Sequence, residues 1–124
     1  MDIILDTNFI MACIENKADI FELEIEGRIV VPREVIDELE KICEGGDLPK
    51  RQQAEIAIKV IAKSKEKIKA INLGDDYVDR GIENYIRENK GVYALGTLDK
   101  KFMARLGGMA KFVSLVNRKK FRID

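Results

Sequence analysis

Short apolar runs of strand character alternate with amphipathic helical stripes along the whole chain, and this alternation restricts the fold more than any other feature. Ile3, Ile4 and Leu5 form the first run, and Ile29, Val30 and Val31 the second. Lys67 to Ile71 reads as an edge strand, followed by Val92 to Leu95 and Phe112 to Val116. Brief continuous runs of this kind read as strands buried on both faces. Helical patterns separate them: Phe9 to Ile14, then a short segment Asp19 to Glu26 ended by Gly27. Pro32 suits a first helical position, before the stripe Val35, Ile36, Leu39, Ile42 and Cys43 that runs to Gly45-Gly46. A charged helix spans about Pro49 to Lys65, with Ala54, Ile58 and Ile61 inward. Asp75 or Asp76 can cap a helix to Glu88 carrying Val78, Ile82, Tyr85 and Ile86, and Leu98 to Leu106 is the last helix. Strands separated by helices predict an α/β fold: a three-layer sandwich with a five-stranded parallel sheet and helices on both faces. The 124 residues fit a single domain, 1–124, without repeat, linker or low-complexity stretch.

Composition narrows the chemistry. Apolar residues at 46% and charged residues at 35% fit a packed core and argue against disorder. No apolar run reaches the length of a membrane span and no signal-peptide pattern opens the chain, so the expected location is cytoplasmic, with no membrane partner. Cys13 and Cys43 lie among apolar helical neighbours without metal-ligand spacing and read as buried thiols. Lys plus Arg and Asp plus Glu number 22 each, so bulk charge does not announce a nucleic-acid binder, although Arg118, Lys119, Lys120 and Arg122 form a local basic patch. Histidine is absent, which excludes Ser-His-Asp hydrolysis and His-ligated zinc. Proton chemistry must then run through carboxylates, lysines or metal-bound water.

The acids fall where such chemistry is built. In open α/β sheets, ligands bind outside the carboxyl ends of the strands. Asp6 follows the first strand in Leu5-Asp6-Thr7-Asn8, and Asp99 follows the fourth in Gly96-Thr97-Leu98-Asp99. Thr97 or Asp99 also reads as a simple helix cap. At about 100° per residue, Asp79 lies only about 60° from the centre of its helix's apolar face, and an acid so placed needs a partner. Asp75 and Asp76 are better explained as caps. On the preceding stripe, Glu38 and Glu40 occupy opposite borders and periodicity does not choose between them, while Glu34, Asp37 and Lys41 point outward.

These segments together resemble the PIN domain family of metal-dependent ribonucleases. The resemblance rests on Asp6-Thr7-Asn8, on Val31-Pro32-Arg33-Glu34-Val35-Ile36-Asp37-Glu38-Leu39, on Asp79 followed by Ile82, and on Thr97-Leu98-Asp99 with Lys100-Lys101-Phe102. It implies the strand order 3-2-1-4-5, with the first strand central. It also implies that Asp6, Glu38, Asp79 and Asp99 are the catalytic, metal-binding acids, with Asn8 and Thr97 in supporting positions, and so favours Glu38 over Glu40. Asp75 and Asp76 remain the alternatives to Asp79.

Clustered carboxylates repel unless a cation neutralises them, and oxygen-only ligands favour Mg²⁺ or Mn²⁺. The expected reaction is hydrolysis of an RNA phosphodiester, with Lys100, Lys101, Arg105, Arg118, Lys119 and Lys120 as RNA contacts at the cleft mouth. The resemblance covers toxins of toxin–antitoxin pairs and rRNA-processing nucleases, and the Val31–Leu39 segment and basic tail lean towards the second. An antitoxin, a ribosome-assembly partner or a second copy of the chain are the partners in view. Two other classes compete: a non-catalytic PIN-like binding module for RNA or protein, and a phosphoacceptor receiver domain using Asp75 and Lys119.

Overall fold

The computed structural model of the chain describes all 124 residues. Its strands are β1 (Asp2–Leu5), β2 (Arg28–Pro32), β3 (Ile68–Ile71), β4 (Tyr93–Gly96), β5 (Lys111–Val116) and β6 (Lys120–Ile123). Its helices are α1 (Thr7–Glu15), α2 (Arg33–Gly45), α3 (Leu48–Lys63), α4 (Val78–Glu88) and α5 (Lys100–Leu106). One sheet takes the order β3-β2-β1-β4-β5-β6. The first five strands are parallel in the expected 3-2-1-4-5 order, and β6 adds antiparallel to β5.

The pleat sends alternate side chains of β1 to opposite faces. Ile3 and Leu5 enter the larger core with Phe9 and Ile10 of α1, Val35 and Leu39 of α2, and Ala54, Ala57 and Ile61 of α3. Ile4 enters the smaller core with Ile82 and Ile86 of α4 and Phe102 and Leu106 of α5. The three layers are therefore α1–α3, the sheet, and α4–α5. Parallel strands need crossovers, and the intervening helices supply them.

Several details depart from the sequence reading: Cys43, expected to be buried like Cys13, is only half-buried at the end of α2. The segment after Asp19 is a 3-10 helix, Ile20–Ile25, with the Asp19 side chain accepting from Phe21 N. Pro32 ends β2, paired with Ile71, and caps α2 rather than opening it; a strand end tolerates a residue with no N–H. Asp75 and Asp76 do not cap α4, whose cap residue is Tyr77 and has no side-chain cap bond. The basic end of the chain is a strand. Its Lys-Phe-Arg-Ile pattern sends Phe121 and Ile123 against the larger core and leaves Lys120 and Arg122 exposed. Asn117 and Arg118, at φ 53° and 71°, make the turn that returns the chain antiparallel.

Candidate active site

Asp6 stands directly after β1 and is also the cap of α1. Its Oδ1 accepts from Phe9 N at 2.9 Å, and its own N–H donates to Gly96 O at 3.0 Å. The second contact ties the end of β1 to the end of β4. Gly96 makes this approach feasible: a Cβ there would lie 2.7 Å from the Phe9 ring and 2.8 Å from Leu5. Asp99 repeats the device on the adjacent strand, its Oδ1 accepting from Lys101 N at 2.9 Å and Phe102 N at 3.1 Å. Between them Thr97 is buried, and its hydroxyl accepts from Asp99 N at 3.2 Å. The capping and site readings of these acids are thus compatible. A helix start fixes one carboxylate oxygen, and Oδ2 is outside the cap.

Glu38 reaches the same place from α2. The Thr7 hydroxyl donates to its Oε1 at 2.8 Å, across 31 residues of sequence, while Glu40 is exposed. Asp6, Thr7, Asn8, Glu38, Asp79 and Asp99 line one cavity of about 280 Å³, together with Ile42, Asp76, Tyr77, Val78 and Phe102. Five acids therefore face one hollow at the carboxyl end of the parallel strands, where the alternation of strands and helices places ligands: the four expected ones and Asp76, so Asp76 stays an alternative to Asp79, whereas Asp75 is taken up by Arg80. Asp79 is the outlying member. Its Oδ2 accepts from Arg105 at 3.3 Å and its side chain is 48% exposed.

Charge accumulates at the centre. Burial raises the Asp6 pKa above its ordinary 3.8, and the Glu38 and Asp99 carboxylates push it further up; the Thr97 hydroxyl and the Phe9 N–H oppose them without cancelling the rise. The carboxylate is thus held where negative charge is disfavoured, and a cation would relieve it. All donors present are oxygens, which suits Mg²⁺ or Mn²⁺. No three of the chain's Asp, Glu and Cys side chains are gathered so as to enclose an ion. Mg²⁺ does not demand such a cage: it keeps several waters and takes one or two carboxylates plus substrate phosphate. Asp6 and Asp99 fit that requirement.

The basic residues distribute unevenly. Lys100 and Lys101 are exposed at the start of α5, beside Asp99. Arg105 is engaged by Asp79 and by Glu83, at 3.4 Å, and lies over the Phe102 ring. Because β5 runs parallel to β4, the turn carrying Arg118 and Lys119 stands at the same end of the sheet as the acids. Lys120 instead lines a separate hollow with Glu22 and Glu26. Two further lysines stand near the acidic cavity: Lys41, which periodicity set outward, and Lys50, which the sequence did not single out. Lys50 lines two adjoining hollows that share Asn8 with that cavity, and Lys41 lines one of them. Thr7 was also passed over, since a hydroxyl bonded to a residue 31 positions away leaves no local signal.

Fold and cleft together define an α/β protein with carboxylates gathered at the end of a parallel sheet. A family model described as a PIN-like domain matches residues 3–118, so the chain belongs to the PIN-like domain family. Membership points to nuclease-type hydrolysis. No curated protein matches the chain. No helix is long and apolar enough to cross a membrane.

Proposed function

We propose that this chain is a Mg²⁺- or Mn²⁺-dependent endoribonuclease, acting in rRNA processing or as the toxin of a toxin–antitoxin pair. The observation that supports this reading most is the convergence of Asp6, Glu38, Asp79 and Asp99 on one cavity in a PIN-like chain. Asp6 and Asp99 would hold the ion through the carboxylate oxygens that their helix caps leave over. When bound, the ion lowers the pKa of water and offsets phosphate charge. Glu38 is held through Oε1 by Thr7, which leaves Oε2 to take the proton of the attacking water. Asp79 and Arg105 form an ion pair at the rim. Asn8 offers an exposed amide at the mouth, and Lys41, Lys50, Lys100 and Lys101 surround it with positive charge for the RNA backbone.

Asp6→Asn keeps an oxygen to cap α1 and removes the charge. It is expected to reduce Mn²⁺-dependent cleavage of RNA at least about a hundredfold, with circular dichroism unchanged. Intact cleavage by this variant sinks the proposal. The competing reading, a non-catalytic RNA- or protein-binding module, predicts no heat of Mn²⁺ binding by titration calorimetry. A small antitoxin-like reading frame beside the gene would assign the toxin role.

A further inference from the structure

Tyr77 is the most exposed aromatic side chain at the acidic cavity. It is 64% exposed and lines the same hollow as Asp6, Glu38 and Asp99. A surface tyrosine ordinarily needs no support, yet this one is held at one ring face and at its backbone N–H. The guanidinium of Arg80 covers one ring face, 4.7 Å from the centroid. Arg80 is itself clamped by both oxygens of Asp75, at 2.7 Å each, and Asp75 Oδ1 also accepts from Tyr77 N at 2.9 Å.

The segment bearing Tyr77 is seated just as firmly. The Glu34 carboxylate accepts from the Leu73 and Gly74 N–H groups at 3.0 Å. Gly81 of α4 lies so close beneath that a Cβ would meet the Leu73 side chain at 2.8 Å and Asp75 Cβ at 3.2 Å. Gly74, at φ 69°, allows the reversal between them. The result is an exposed ring on a firmly held backbone, with one face covered by a clamped guanidinium and the rest open, which is how a preorganised contact is made.

We propose that Tyr77, braced by Arg80 and Asp75, is a nucleobase-stacking platform that positions an unpaired base of the RNA beside the acids. The inference rests on the endoribonuclease reading and specifies its substrate at one site. The face of any base can stack on an aromatic ring, so the platform takes bases without reading their identity. In an A-form duplex the bases are already stacked on one another, so only an unstacked nucleotide can use it. The surrounding chemistry favours RNA over a protein partner: acids suited to an ion that binds phosphate lie on one side, and Lys41 and Lys50 stand beyond them.

The test uses short single-stranded RNAs with one 2-aminopurine, or one abasic nucleotide, moved stepwise along the strand. Binding is measured on the whole chain in the Asp6→Asn background, and cleavage with Asp6 intact and Mn²⁺ present. At one position the 2-aminopurine emission is expected to fall on binding. Tyr77→Phe and Tyr77→Trp keep that quenching, whereas Tyr77→Ala loses it and binds about tenfold or more weaker. An abasic nucleotide at that position weakens the parent by a similar factor and leaves Tyr77→Ala unaffected. If the parent cuts RNA while Tyr77→Ala binds as tightly and still quenches, the platform is overturned and the nuclease reading stands. Quenching that depends on Tyr77 without any cleavage by the parent supports the platform and removes the nuclease reading. No binding of RNA by the parent overturns both, whereas a Tyr77→Ala variant impaired only towards a protein partner overturns the platform alone.

Discussion

A single hydroxyl carries an argument at the residue scale. Thr7 is buried beside two acids and donates to Glu38, a carboxylate of the cavity that no helix start or arginine holds. Thr7→Val keeps the shape and removes the donor. Partners that orient a site's acids are typically worth about 10- to 100-fold in activity. Thr7→Val is therefore expected to lower RNA cleavage in that range with an unchanged melting temperature, while Thr7→Ser restores most of it. Steady-state rates with Mn²⁺ check both. Asp6 and Asp99 were legible as residues because each follows an apolar run and precedes a helix, a signal contained within a few positions. Glu38 was legible only as one of two border acids, and the bond from Thr7 that distinguishes it crosses 31 residues. Glu34 was misread as a solvated outward residue. Its partners are backbone N–H groups 39 and 40 positions away, and helix periodicity carries no trace of them.

Among the elements, the connection from β3 to α4 has its own pH dependence. Backbone donors from Leu73 and Gly74 hold the Glu34 pKa below its ordinary 4.5 despite partial burial, which acts the other way. The Arg80 guanidinium, helped by Tyr77 N–H, holds Asp75 at about 2. Both folded values lie below the unfolded ones, so the stabilisation is complete above the unfolded values and is lost as pH falls through the folded ones. As pH is lowered from about 5 to about 2, the Leu73 and Gly74 amide resonances are expected to follow the protonation of Glu34, and the Tyr77 resonance that of Asp75, with its midpoint at about 2. Glu34→Gln should abolish the Leu73 and Gly74 part of that response. The helices of this region were legible from their apolar stripes. The strand β6 was not, because lysine and arginine on alternate positions made four residues look like a charged tail. Period-two alternation, with Phe121 and Ile123 between Lys120 and Arg122, was the available signal.

For the molecule as a whole, the join of β1 to β4 beside the cavity includes one close contact between distant parts of the chain. Gly96 at the end of β4 lies against Phe9 of α1 and Leu5 of β1. Gly96→Ala forces the Phe9 ring away, and overpacking of this kind costs about 1–3 kcal/mol. Because Phe9 N–H also orients Asp6, the variant is expected to lose activity together with several degrees of melting temperature. A stability loss with full activity would show that α1 adjusts without moving Asp6. The three layers and the parallel direction of the strands were legible from alternation alone, since parallel strands demand crossovers, whereas the 3-2-1-4-5 order came only with the family resemblance. The antiparallel edge was a local addition that the alternation does not require.

The pairing of β1 with β4 also has a consequence in time. Asp6 follows β1, and Asp99 follows β4 and is added to the chain 93 residues after Asp6. At about 5–20 residues per second, roughly 5–20 s separate the synthesis of the two acids. Through that interval β1 lacks one neighbour, and the cavity lacks a wall. If the chain cuts RNA, a nascent copy lacks the complete set of acids throughout that interval, and the ribosome that makes it stays out of reach.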